Sequence, residues 1–234
     1  MDQRLKELVD KSRYAVFFGG AGVSVPSGIP DFRSTDGLYN QTWHLPPEAI
    51  ISHSYFMREP EEFYRFYKQK MLYPQAQPNP AHLTLARLEA EGKLKAVITQ
   101  NIDGLHQLAG SREVVELHGS VHRNRCMKCG SGYDLAWMLA QPGVPRCPCG
   151  GIVKPQVVLY EEPLEDTAIH RALYHIRRAD LLIVGGTSLA VYPAAGFLRD
   201  FTGSHLVVIN RDPVPQDAWA QLVIRGDIAQ ALGD

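Results

Sequence analysis

All four cysteines of the chain fall within one short stretch, as Cys126, Cys129, Cys147 and Cys149. Cys126-Met127-Lys128-Cys129 is a C-x-x-C knuckle, and Cys147-Pro148-Cys149 follows after seventeen residues. Four thiolates at near zinc-ribbon spacing suit one closed, structural zinc site; a redox disulfide or an empty site are the competing readings. A second set of candidates is polar. Gly20-Ala21-Gly22-Val23-Ser24 follows the apolar run Tyr14-Ala15-Val16-Phe17-Phe18, and a glycine turn between strand and helix can bring backbone close to a pyrophosphate. Val25 stands where the dinucleotide fingerprint has its third glycine, so the loop fits a hydride-transferring dehydrogenase poorly. Asn101, Asp103 and His118 fall at or just past the C-terminal ends of predicted strands, the edge where open α/β sheets place their ligand crevice. An imidazole can take up a proton near neutral pH. A lone histidine is more often satisfied by a neighbour, and a lone Asp103 would cap a helix starting at Gly104-Leu105-His106.

The elements that must position these groups are legible as alternating patterns. Leu5, Leu8 and Val9 have helical spacing, and apolar runs recur at Ala96-Val97-Ile98, Val157-Val158-Leu159-Tyr160, Leu181-Leu182-Ile183-Val184 and Leu206-Val207-Val208-Ile209. Strands alternating with helices predict an α/β fold with a Rossmann-like, doubly wound parallel sheet. Two stretches of different character interrupt it: residues 35–79, rich in aromatics and prolines, and residues 120–155, which hold the cysteines. The expected organisation is a large domain from residues 1–34, 80–119 and 156–234, and a small domain from a helical insert (35–79) and a zinc-ribbon module (120–155).

With 24 Lys and Arg against 25 Asp and Glu, the charge balance gives no footprint of a nucleic-acid or membrane binder. The charged start, Met1 to Glu7, is unlike a secretory segment, and no apolar run reaches membrane-spanning length. A cytoplasmic monomer is the expectation.

The fourteen residues from Gly20-Ala21-Gly22 to Asp31-Phe32-Arg33 resemble, almost letter for letter, the first signature of the sirtuins. Thr99-Gln100-Asn101-Ile102-Asp103-Gly104-Leu105-His106, Glu116-Leu117-His118-Gly119 and Gly186-Thr187-Ser188-Leu189 resemble later signatures, in family order. The resemblance implies an NAD-dependent protein-lysine deacetylase, in which the acetyl-lysine carbonyl oxygen attacks the ribose carbon bearing nicotinamide. The products would be nicotinamide, O-acetyl-ADP-ribose and free lysine. It casts His118 as general base, Asn101 as holder of the ribose and an ordered water, and Asp103 as holder of the nicotinamide carboxamide. Gly20, Ala21, Gly22, Ser24, Asp31, Phe32, Arg33, Gln100 and Ile102 would join them around NAD, with Phe32 shielding the reactive carbon from water. Gly186, Thr187 and Ser188 would face phosphate and ribose, Asn210 the adenosine ribose, and Asp227 and Ile228 the adenine.

Val158, Leu159 and Tyr160 resemble the strand and loop that pair with an extended acetyl-lysine peptide by strand addition, Val158 lining the acyl-lysine tunnel. Relatives that prefer succinyl-lysine carry a Tyr-x-x-Arg pair, and here Tyr67 follows Tyr64 in place of that arginine. A buried carboxylate would lack its bidentate cation, so neutral acyl groups are expected unless Arg65 or Lys68 reaches inward. The family usually has two residues between the second pair of cysteines, where this chain has only Pro148. Transfer of ADP-ribose to a protein is the rival activity, and a catalytically silent NAD-binding or acyl-lysine-binding module the rival of another class.

Overall fold

The computed structural model describes residues 1–31, 37 and 43–233; Phe32 and Arg33 of the expected cofactor set lie outside them. Helix α1 (Gln3–Lys11) starts at Asp2, whose carboxylate accepts from the Arg4 and Leu5 amides, and it buries Leu5 and Val9. It leads into strand β1 (Ala15–Gly19). Helices α2 (Pro47–Ile50), α3 (His53–Arg58) and α4 (Pro60–Lys70) follow, then α5 (Pro80–Ala90), β2 (Leu94–Thr99), α6 (Leu105–Leu108) and β3 (Val114–Glu116). Next come β4 (Gly119–Cys126), β5 (Gly132–Tyr133), α7 (Leu135–Ala140) and β6 (Val153–Val157). The chain closes with α8 (Asp166–Arg178), β7 (Leu181–Gly185), β8 (His205–Asn210), β9 (Leu222–Arg225) and α9 (Ile228–Leu232). No described helix is long and apolar enough to cross a membrane.

Six strands form one sheet in the order β3-β2-β1-β7-β8-β9, each pair parallel. The order runs outward from β1 in both directions, so the switch point of this doubly wound sheet lies between β1 and β7. Helices cover both faces, which is why β1 and β7 are buried at every position and read in sequence as continuous apolar runs. Phe17, Val97, Ile183 and Val207 face Leu5 of α1, Leu85 of α5 and Ile228 of α9. Phe18, Ile98, Leu182 and Val208 face Ala172 and Ile176 of α8.

One strand differs from its reading in sequence. Val157-Val158-Leu159-Tyr160 is not a strand of the parallel sheet: β6 ends at Val157 and pairs antiparallel with β4 in a separate three-stranded sheet, β5-β4-β6. The alternating burial of Val153, Pro155 and Val157 fits a sheet packed on one face only. That face and the helices of the insert share one apolar cluster, in which Phe63, Tyr64 and Tyr67 of α4 meet Met138, Val153 and Cys126. Phe63 packs edge-on against Phe56 and Tyr64, with ring centroids 4.9 and 5.2 Å apart, an arrangement that adds to plain area burial.

Candidate functional site

The β1–β7 switch point is built backbone against backbone. Gly20 and Gly22 donate to the carbonyls of Gly185 and Gly186 at 3.4 and 2.8 Å. A Cβ on Gly22 would lie 2.8 Å from Gly186 Cα, so only glycine permits the approach. Asn79 secures the loop from outside: it caps α5 through the Ala81 amide while its Nδ2 donates to Val23 O and Ser27 Oγ, each at 2.8 Å. Across the crevice, Gln100 donates to Thr187 Oγ1 at 3.0 Å. Asn210 exchanges two bonds with the Thr187 backbone, at 3.0 and 2.9 Å.

Beside this loop the ends of β2 and β3 carry the polar candidates. Asn101 Nδ2 donates to Ser24 Oγ at 3.0 Å, and Ser24 Oγ donates to Asp103 Oδ2 at 2.6 Å. Asp103 Oδ1 also accepts from the Leu105 amide at 2.9 Å, so the helix-capping role coexists with a place at the site. Burial raises the Asp103 carboxyl above the ordinary aspartate value, although the Ser24 and Leu105 bonds pull it down. His118 Nδ1 lies 2.9 Å from Gln100 O. A carbonyl only accepts, so Nδ1 carries the proton and Nε2 is the nitrogen left for a ligand. Burial lowers the His118 pKa below the ordinary histidine value, and the Gln100 bond opposes this.

These groups line one cavity of about 520 Å³, which takes in Ala21, Ser24, Gln100, Asn101, Ile102, Asp103, His118 and, opposite, Val158, Leu159 and Tyr160. The volume suits a small-molecule site. The Val158 amide donates to His118 O at 3.0 Å, tying the expected peptide strand to the histidine. Tyr160 is held in turn by exchange with Ile51 O and the His53 amide.

Gly20, Gly22, Asp31, Gly186, Thr187, Ser188, Asn210, Asp227 and Ile228 do not line this cavity. Most of them bracket the neighbouring β1–β7 crevice. The Asp227 carboxylate caps α9 and pairs with Arg211, and the Ile228 side chain is buried in the core under Gly185. Tyr64 and Tyr67 are buried in the aromatic cluster, away from the cavity. Arg65 pairs with Glu62 and Lys68 donates to the carbonyls of Gln141 and Gly143, so neither turns inward. The α4 cation that does reach the cavity wall is Lys70. The sequence reading passed over Ile51, Met71, Tyr73, His122 and the segment Val191–Pro193, all around the cavity. None carries a motif; Asn79, by contrast, could have been read as the cap of a helix opening on Pro80.

The four cysteine sulfurs lie within 4.8 Å of one another. Cys126 and Cys149 are 3.4 Å apart and Cys129 and Cys147 3.5 Å, too far for disulfides at about 2 Å and near the roughly 3.8 Å edge of a tetrahedral zinc–thiolate cage. The single-residue Cys147-Pro148-Cys149 spacing therefore still closes the set. The Lys128 and Cys129 amides point at Cys126 Sγ, as suits a thiolate.

A model of the Sir2 family matches residues 20–193. The chain is 56% identical over 234 residues to an NAD-dependent protein deacetylase of Clostridium perfringens, covering 98% of this chain and 96% of that one. It is 44% identical to one of Staphylococcus epidermidis, covering 98% and 94%. Among solved structures it resembles Sir2 with a p53 peptide and NAD+, with a TM-score of 0.88, 40% identity and coverage of 99% and 95%. A Sir2 structure bound to a propionylated peptide gives a TM-score of 0.87 and 39% identity, with coverage of 99% and 96%.

Proposed function

The chain belongs to the Sir2 family, and on that footing we propose that it removes acetyl groups from protein lysines in an NAD-dependent reaction yielding nicotinamide, O-acetyl-ADP-ribose and free lysine. The observation that carries this reading is His118: its Nδ1–H is tied to Gln100 O while the ring lines the cavity, so Nε2 can take a hydroxyl proton. A pKa held below the ordinary histidine value keeps that nitrogen unprotonated at neutral pH.

The residues present fit NAD. The glycine loop after β1 lies at the switch point of the sheet, the edge where open α/β sheets bind nucleotides, and the Asn101–Ser24–Asp103 chain presents polar groups beside it. Bound NAD supplies an activated glycosidic bond with nicotinamide as its leaving group. Asp103 holds the carboxamide end and Asn101 the ribose and a water. Val158 and Ile102 form apolar walls for a neutral acyl-lysine, and residues 158–160 receive the peptide as an added strand. Cys126, Cys129, Cys147 and Cys149 hold one zinc, whose closed four-thiolate set gives it a structural role.

A mass-spectrometric time course on an acetyl-lysine peptide, with and without NAD, tests the reading. Loss of acetyl that requires NAD and is matched by O-acetyl-ADP-ribose is the expected result. A mass gain on the acceptor protein would move the assignment to ADP-ribosyl transfer, and no reaction by folded, NAD-bound protein would overturn it.

A further inference from the structure

Asp103 is fixed at three atoms, and the third contact comes from a residue outside the sirtuin-like signatures. Its two carboxylate oxygens are held by Ser24 and the Leu105 amide, while its carbonyl lies 2.9 Å from His122 Nε2. The carbonyl can only accept, so His122 Nε2 carries the proton, and both the neutral tautomer so defined and the imidazolium can donate it. His122 lies in β4, and its neighbour Val121 donates its amide to Ile102 O at 3.0 Å. Two consecutive residues of β4 thus grip two consecutive carbonyls of the Ile102–Asp103 turn.

The backbone is shaped for this grip on both sides. The β4–β6 ladder is irregular between Gly119 and Asn124: five steps along β4 face only two along β6, from Val157 to Pro155. Such a bulge re-aims side chains, and bulges gather beside active sites for that reason. Here it turns His122 out of the ladder to the cavity wall. On the other side Gly104 has φ +76°, and a Cβ there would lie 2.8 Å from His122 Nε2 and Cδ2. Only a glycine leaves room for the ring to close over the turn.

We propose that His122 is a positioning residue for the reaction: its hydrogen bond sets the orientation of the Asp103 peptide, and with it the aim of the carboxylate that holds nicotinamide. This rests on the reading of Asp103 given above. The experiment uses full-length, zinc-loaded protein and compares His122→Ala, His122→Phe and His122→Gln with the native chain and with Asp103→Asn. It reads KM for NAD, kcat, the inhibition constant for nicotinamide, and the thermal midpoint.

Losing one hydrogen bond of ordinary strength is expected to weaken nicotinamide inhibition and raise KM for NAD about fivefold in the Ala and Phe variants. Gln, which keeps an N–H donor on a side chain of similar reach, should return both within about twofold of native at an unchanged midpoint. Native nicotinamide inhibition in folded Ala and Phe variants, with Asp103→Asn strongly impaired, would overturn the role of His122 alone. An Asp103→Asn enzyme with native nicotinamide inhibition would overturn the reading of Asp103, and this proposal with it.

Discussion

The parallel sheet and the cysteine-bearing module keep their shapes by different means. The sheet is sandwiched between two apolar layers, with β1 and β7 buried along their whole length and in register from Ala15–Leu181 to Gly19–Gly185. The module has strands as short as Gly132–Tyr133, a six-residue helix α7 and an aromatic cluster shared with α4. A parallel sheet covered on both faces holds a backbone-built crevice by itself, whereas a small, loop-rich module needs a staple. The cavity lies where the two meet, with the expected base at the end of β3 and the expected peptide segment just past β6.

Breaking the staple should have the largest effect. Cys129→Ser is expected to lower bound zinc from about one per chain to near zero and deacetylation by more than about a hundredfold. Far-UV circular dichroism should fall little, because the six-stranded sheet remains. Metal analysis beside activity checks this, and a metal-free, fully active preparation would show that the module stands alone. Next come the two aromatic cores. Phe17→Ala under the sheet and Phe63→Ala in the module should each cost about 3–5 kcal/mol. Phe17→Ala should lower all melting signals together. Phe63→Ala should advance the tryptophan fluorescence transition, to which Trp43 and Trp137 of that region contribute, ahead of the dichroism transition.

A third contrast is acid sensitivity. His82 on α5 and His106 on α6 are buried with ring centroids 4.7 Å apart. Burial lowers His82 to about 4 and holds His106 well below the ordinary histidine value. The unfolded chain, with histidines near 6.5, binds more protons between pH 6.5 and 4, so stability is complete above that window and lost as pH falls through it. For His82 alone the loss is about 3 kcal/mol. Proton uptake on unfolding at pH 5, measured calorimetrically in several buffers, should be clear; its absence would mean that the pair is already protonated when folded. The smallest effect is expected at Tyr67, whose buried hydroxyl has no partner among the described residues. Tyr67→Phe should leave stability unchanged or raise it by up to about 1 kcal/mol, and a marked loss in a denaturant titration would reveal a bond to that hydroxyl.

The sheet was more legible in the sequence than the module for the same reason that it is more self-sufficient. Runs such as Leu181–Val184 and Leu206–Ile209 are apolar because both faces are covered, and such runs stand out. Val114–Glu116 and Leu222–Arg225 are too short to show a period, and both are sheet edges. Val157–Tyr160 looked like another buried strand, but its apolar residues serve two surroundings, the module core and the cavity wall. At the site, Asn101 and Asp103 were readable because they follow β2 within a recognisable signature, and His118 because it lies in another signature, Glu116-Leu117-His118-Gly119. His122 was not, because its contact depends on a bulge and on a glycine eighteen residues earlier, neither visible as periodicity.

The assignment of His118 as general base is tested most directly by measuring deacetylation and NAD binding together in His118→Ala. The expected result is a fall in turnover of about 10²–10⁴-fold, the usual contribution of a positioned general base, with NAD affinity within a few-fold of native. Turnover close to native at full NAD occupancy would contradict it and place the proton acceptor elsewhere in the cavity.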